Sequence, residues 1–170
     1  MRIDMSVRDT LSRLSAEWAE PRRPVHHGRG TSAPVVCSVK ELRNTTPFDS
    51  NVPPDVATFW GAYDGARLFV DTQYGQWGLV LHGPAGAKRL TDKFRAQRAR
   101  DAAPGDLVLG EFLGDSELLV VRADPTAEDY NVVMIALPLD PRSDWSVAAD
   151  SLGTFLEKYD TAQGAKFWET

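Results

Sequence analysis

Leu107-Val-Leu-Gly-Glu-Phe-Leu113, Gly114-Asp-Ser116 and Glu117-Leu-Leu-Val-Val-Arg122 form the stretch whose reading decides the fold. Two runs of aliphatic and β-branched residues, 107–113 and 117–122, flank three turn residues. That pattern is a β-hairpin. Working outward, Arg67-Leu-Phe-Val-Asp71 and Trp77-Gly-Leu-Val-Leu-His82 read as strands joined by a turn containing Gly75. Residues 130–137 read as a further strand before Pro138 and Pro141.

Helical spacing brackets these strands. Ile3, Val7, Leu11, Leu14 and Trp18 form one apolar stripe, stopped by Pro21 and Pro24. Residues 21–34 are rich in Pro, Gly, Arg and His and read as a linker, so the first helix is expected as an appendage. The domain organisation expected is therefore a helix and linker over 1–35 and an α+β domain over 36–170. Ser38-Val-Lys-Glu41 has capping-box spacing and predicts at best a short helix. Pro53-Pro54 opens a clearer helix carrying Val56, Phe59, Trp60 and Tyr63, with Gly65 expected to end it. Residues 86–100 read as a basic helix with Leu90 and Phe94 inward. Residues 146–159 read as the last helix, with Ala148, Leu152, Phe155, Leu156 and Tyr159 on one face and Gly153 inside it. Sequential strands flanked by helices imply an α+β fold on a mostly antiparallel sheet.

The chain has 170 residues, 42% hydrophobic and 25% charged, the profile of one globular domain and not of a disordered chain. Its single cysteine, Cys37, excludes a disulfide framework and a multi-cysteine metal site. No apolar run reaches the ~18 residues of a membrane span, and the N-terminus lacks a secretory h-region, so a cytoplasmic protein is expected. The net charge of −5 is unevenly placed: residues 106–170 carry 4 Lys/Arg against 13 Asp/Glu. Such a half repels nucleic acid and attracts basic proteins.

The residues that could carry chemistry fall short of it. Gly83-Pro-Ala-Gly86-Ala-Lys88 is too short for a phosphate loop and lacks Ser/Thr after the lysine, so it reads as a turn before a helix. His26 and His27 are adjacent, which suits chelation poorly, and read as a surface loop. Gly114-Asp115-Ser116 is a hairpin turn and lacks the pattern of a nucleophile elbow. Cys37 within Val35-Val36-Cys37-Ser38 reads as a small buried hydrophobe. The cations Lys88, Arg89, Lys93, Arg95, Arg98 and Arg100 lack interleaved exposed aromatics and read as a solvated helix face. Trp60 and Phe59 read as core. Trp77 reads as core or a groove wall. Trp145 and Trp168 lie near helix or chain ends, where an exposed indole would anchor a partner.

From Val52 to Tyr159 the chain resembles the SUKH superfamily, mostly bacterial immunity proteins of toxin systems with relatives among fungal cell-wall regulators. The likeness lies in Val52-Pro-Pro-Asp-Val-Ala-Thr-Phe-Trp60 closed by Tyr63-Asp-Gly65 and Leu68-Phe69, in Asp106-Leu-Val-Leu-Gly110 followed by Gly114-Asp115 and Leu118-Leu-Val-Val121, and in Val147-Ala-Ala-Asp-Ser-Leu152 through Phe155-Leu-Glu-Lys-Tyr159. Val52, Asp64 and Leu152 stand where the family usually has leucine, asparagine and phenylalanine. The resemblance implies an α+β domain with a curved sheet, no catalytic centre and a binding role, classically the masking of a toxin that is often a nuclease; separately, no cofactor and no metal are expected. It implies no particular binding residues.

The expectation drawn from all this is a non-catalytic protein that neutralises a basic cognate toxin. Its contacts would be Glu111, Asp115, Glu117, Asp124, Glu128 and Asp129 around an aromatic anchor, Trp77 or Trp145. Neither nucleic acid nor a membrane is an expected partner, and the oligomeric state is left open. Two other readings stand beside it: a small-ligand or regulatory module with a pocket near Trp77 and Tyr74, and a hydrolase using His82 or Cys37.

Overall fold

Along 107–136 the apolar side chains must alternate between two faces if the segments are strands. The computed structural model, which describes residues 6–43, 47–49 and 51–169, shows that alternation. In β4 (Asp106–Phe112), β5 (Leu118–Arg122) and β6 (Val133–Ala136), Leu109, Leu119, Val121, Val133 and Ile135 enter one core. Val108, Val120, Met134 and Ala136 enter a second core with Phe94 and Trp145. Burial on both faces explains why these strands read as continuous apolar runs.

The remaining elements are α1 (Val7–Glu17), β1 (Val35–Glu41), α2 (Pro54–Ala62), β2 (Tyr63–Asp71), β3 (Leu79–His82), α3 (Pro84–Gln97), β7 (Ser146–Ala149) and α4 (Leu152–Thr161). Two 3-10 turns lie at Arg142–Asp144 and Phe167–Glu169. Each strand pairs antiparallel with its sequence neighbours, giving the order β1 to β7 in one open, curved sheet. The fold is α+β, as expected. α1, α2 and α4 contribute to the larger core on one face, and Phe94 of α3 anchors the smaller one.

Several local expectations are corrected. The stretch 38–41 is strand, not a capped helix: Val35 and Cys37 are buried and β1 pairs with β2 from Val35 to Glu41. Tertiary pairing overrides the local cap, as it does for many weak helix signals. Gly65 does not end α2. Tyr63 already has extended backbone, and Gly65 sits inside β2 opposite Lys40 and His82. A Cβ there would stand 3.0 Å from the Leu81 carbonyl oxygen. The last helix is shorter than 146–159. Ser146–Ala149 form β7 against β6, and α4 begins after Ser151, whose Oγ accepts the Thr154 N–H at 3.1 Å. Ala148 shares the core of α4 from a strand, which imitates helical spacing in the sequence.

Gly153, expected as a weak point inside a helix, is instead the second residue of α4, and its N–H donates to Asp55 Oδ2 at 2.9 Å. Asp55 thereby joins the first turn of α2 to that of α4. The stripe Val7, Leu11, Leu14 and Trp18 lies in the same core as Phe59, Phe69 and Tyr159, so α1 packs within the main core and not beside it. Ile3 lies outside the described residues.

Candidate partner-binding surface

The turn of the β4–β5 hairpin carries the first group of expected contact residues, and the structure turns it inward. Asp115 and Glu117 both accept from the Lys166 ammonium, and Asp115 also pairs with Arg29 at 2.7 Å. Lys166 is buried, over the rings of Trp77 and Phe112. Burial pushes the Glu117 carboxyl up despite Lys166. At Asp115 burial acts the same way, but the hydrogen bond and charge of Lys166, with Arg29, hold the group below the usual carboxylate range. Glu117 is 3% exposed and so cannot meet a partner. Its expected role at a contact surface is replaced by an internal one.

The two expected anchors are also enclosed. Trp77 donates its indole N–H to the Gly164 carbonyl at 3.0 Å. Trp145 is buried against Phe94, beneath the guanidinium groups of Arg98 and Arg142. Glu111 lies on β4 and accepts from or shares a proton with His82 Nε2 at 3.0 Å. Hollows lie elsewhere, among them one of about 630 Å³ between α3 and the β4–β5 turn, with Leu90, Phe94 and Glu111, and one of about 610 Å³ beside Phe48, Trp60 and Arg95. Neither contains Trp77 or Tyr74.

The other group of carboxylates gathers at the opposite end of the hairpin. Asp106 starts β4 and is buried; it accepts from Arg122 at 3.2 Å and Arg142 at 2.6 Å, and from the Ala103 N–H at 2.8 Å. Arg122 also donates to Asp129 at 3.0 Å. Above this buried ionic layer lie Asp124, which caps its own turn through Thr126, and the exposed Glu128 and Asp129. Ala149 pairs with Val133, which brings exposed Asp150 to the same end. Sequence reasoning missed Asp150. Only the strand pairing of 146–149 brings it to the end that carries the 124–129 loop. The eight expected residues therefore do not form one face. Asp124, Glu128 and Asp129 come together, while Glu111, Asp115 and Glu117 sit at the far end.

The candidate catalytic groups are engaged structurally. His26 Nδ1 accepts the Thr31 N–H and its Nε2 meets the Gln163 carbonyl, both at 2.7 Å. Burial pushes the Cys37 thiol up to about 12, and its sulfur accepts the Phe69 N–H. Gly83 is the N-cap of α3, with Pro84 at its first position. Among the described residues no helix is long and apolar enough to cross a membrane. No family model, no curated protein and no solved structure matches the chain.

Proposed function

We propose that the chain is a binding protein of the SUKH type that neutralises a basic, nuclease-like toxin by covering its surface. The observation that carries this is the carboxylate rim of exposed Glu128 and Asp150 with half-buried Asp124, set over a layer whose cations, Arg122 and Arg142, are already committed to Asp106 and Asp129. A nuclease must present positive charge to its substrate, and an acidic rim competes for that charge. The resemblance in motif order supports the family assignment.

The test is co-expression with the product of the gene encoded beside this one. Rescue of growth and binding at about micromolar strength are expected. Because the rim is exposed, Glu128→Lys should slow association and flatten the salt dependence more than it speeds dissociation. No binding at about 10 μM, or rescue untouched by reversing the whole rim, overturns the reading.

A further inference from the structure

The two edges of the sheet are finished differently. Beyond β1 the chain returns and seals the Val35–Cys37 stretch of the edge: Arg22 and Val35 exchange hydrogen bonds at 3.1 and 2.8 Å, and the Cys37 N–H donates to the Trp18 carbonyl at 2.9 Å. The Arg22 guanidinium lies over the Trp18 ring at 3.7 Å and covers the closure. At the other edge β7 pairs with β6, and among the described residues no other backbone bonds to it. An unsealed edge is a template for another strand.

The surroundings of this edge say which strand. Val147, in the middle of β7, is 66% exposed, so apolar contact is on offer. Asp144 and Asp150 bracket the strand, and both are exposed. Antiparallel pairing with a second copy would set Asp144 of one chain against Asp150 of the other, a like-charge contact at each end. A segment with apolar residues between flanking cations meets complementary groups at every point.

We infer that β7 docks an extended, Lys/Arg-bearing segment of the protein partner as an eighth strand beside Ser146–Ala149. This rests on the proposed function and adds where and how the basic partner is held. Backbone bonds supply the register, Val147 an apolar contact, and Asp144 and Asp150 the charge selection.

The probe is a ten-residue peptide alternating Lys and Val, with a Glu–Val peptide as control. Binding of the lysine peptide, and none of the glutamate peptide, is expected at concentrations up to about 1 mM in low salt. Amide exchange should slow at those β7 N–H groups not bonded to β6. Val147→Lys places a charge on an already exposed position, so the fold is retained, and the affinity should fall about tenfold. Glu20→Lys, an equal charge change beside the sealed edge, should leave it within about twofold. Dimerisation through β7, no peptide binding, or binding without slowed exchange there overturns the inference. So does sensitivity to Glu128→Lys without sensitivity to Val147→Lys. That last outcome leaves the acidic-rim reading standing, and the reading itself falls only in the co-expression test.

Discussion

The backbone N–H of Phe69 donates to the sulfur of Cys37 at 3.2 Å, where β2 carries two residues, Leu68 and Phe69, against one of β1. Phe69 has φ +53, a left-handed conformation that a bulky residue rarely adopts. It turns the ring between Trp18 and Tyr159, with centroids 5.1 and 5.3 Å away. The bulge stores about 1–3 kcal/mol of strain, held in place by that packing and by the thiol.

Cys37→Ala leaves the buried Phe69 N–H without its acceptor and should lose about 1–3 kcal/mol in urea unfolding. The thiol, pushed up to about 12, stays protonated at neutral pH. Thiol reagents at pH 8 should therefore label the native protein only through unfolding, and labelling as fast as a free thiol would contradict the burial described.

Lys166→Met leaves Arg29 to Asp115 but strands buried Glu117 beside it, and should cost about 3–5 kcal/mol. Adding Glu117→Gln should return part of that loss, a non-additivity expected of groups in contact. The pH dependence separates the two carboxylates. Asp115 is held low, so its contribution is present above the ordinary carboxylate range and fades as the pH falls through its folded value. Glu117 is held high, so its contribution is fully present below its unfolded value and fades as the pH rises through its folded one. The parent should therefore gain on Glu117→Gln as the pH drops from about 7 to about 4. Urea midpoints at the two pH values measure this, and a gap that narrows would refute it.

Arg142→Ala removes one of two cations from buried Asp106 and, with Arg98 left in place, part of the cover from Trp145. Arg122 remains, so a loss of about 2–4 kcal/mol is expected, below that of a fully unpaired charge. Indole emission at Trp145 should shift to the red, and exchange should quicken in residues 137–145 before global unfolding.

Asp55→Ala unties the first turn of α4 from that of α2 and should cost about 1 kcal/mol, as loss of a helix cap does. Asp55→Asn keeps an acceptor and should restore most of it. Equal losses in both variants would show that the charge, not the hydrogen bond, is what matters.

Much of the architecture was legible because it follows from short-range patterns. The hairpin at 107–122, the helix opened by Pro53-Pro54 and the helix preceding residue 100 are all signalled by residues adjacent in sequence. The errors fell where a distant partner decided the outcome. Residues 38–41 became strand because β2 lay alongside, and 146–149 because β6 did. The contact residues fared worse for the same reason. Nothing near Glu117 or Trp77 in sequence announces that Lys166 and Gly164 will enclose them. The acidity of the C-terminal half was plain from the sequence, but which carboxylates face outward depends on where two arginines are spent.

The Val7–Trp18 stripe lies against α4, and Arg13 pairs with Asp160, so α1 is covered by a helix synthesised well after it. The hairpins between them can zip as they emerge. At about 5–20 residues per second, α1 then waits on the order of ten seconds before residue 152 appears. Through that interval β1 and α2 cover only part of its apolar stripe, and a chain stalled late in translation would present a nearly complete sheet with one half-covered, sticky helix.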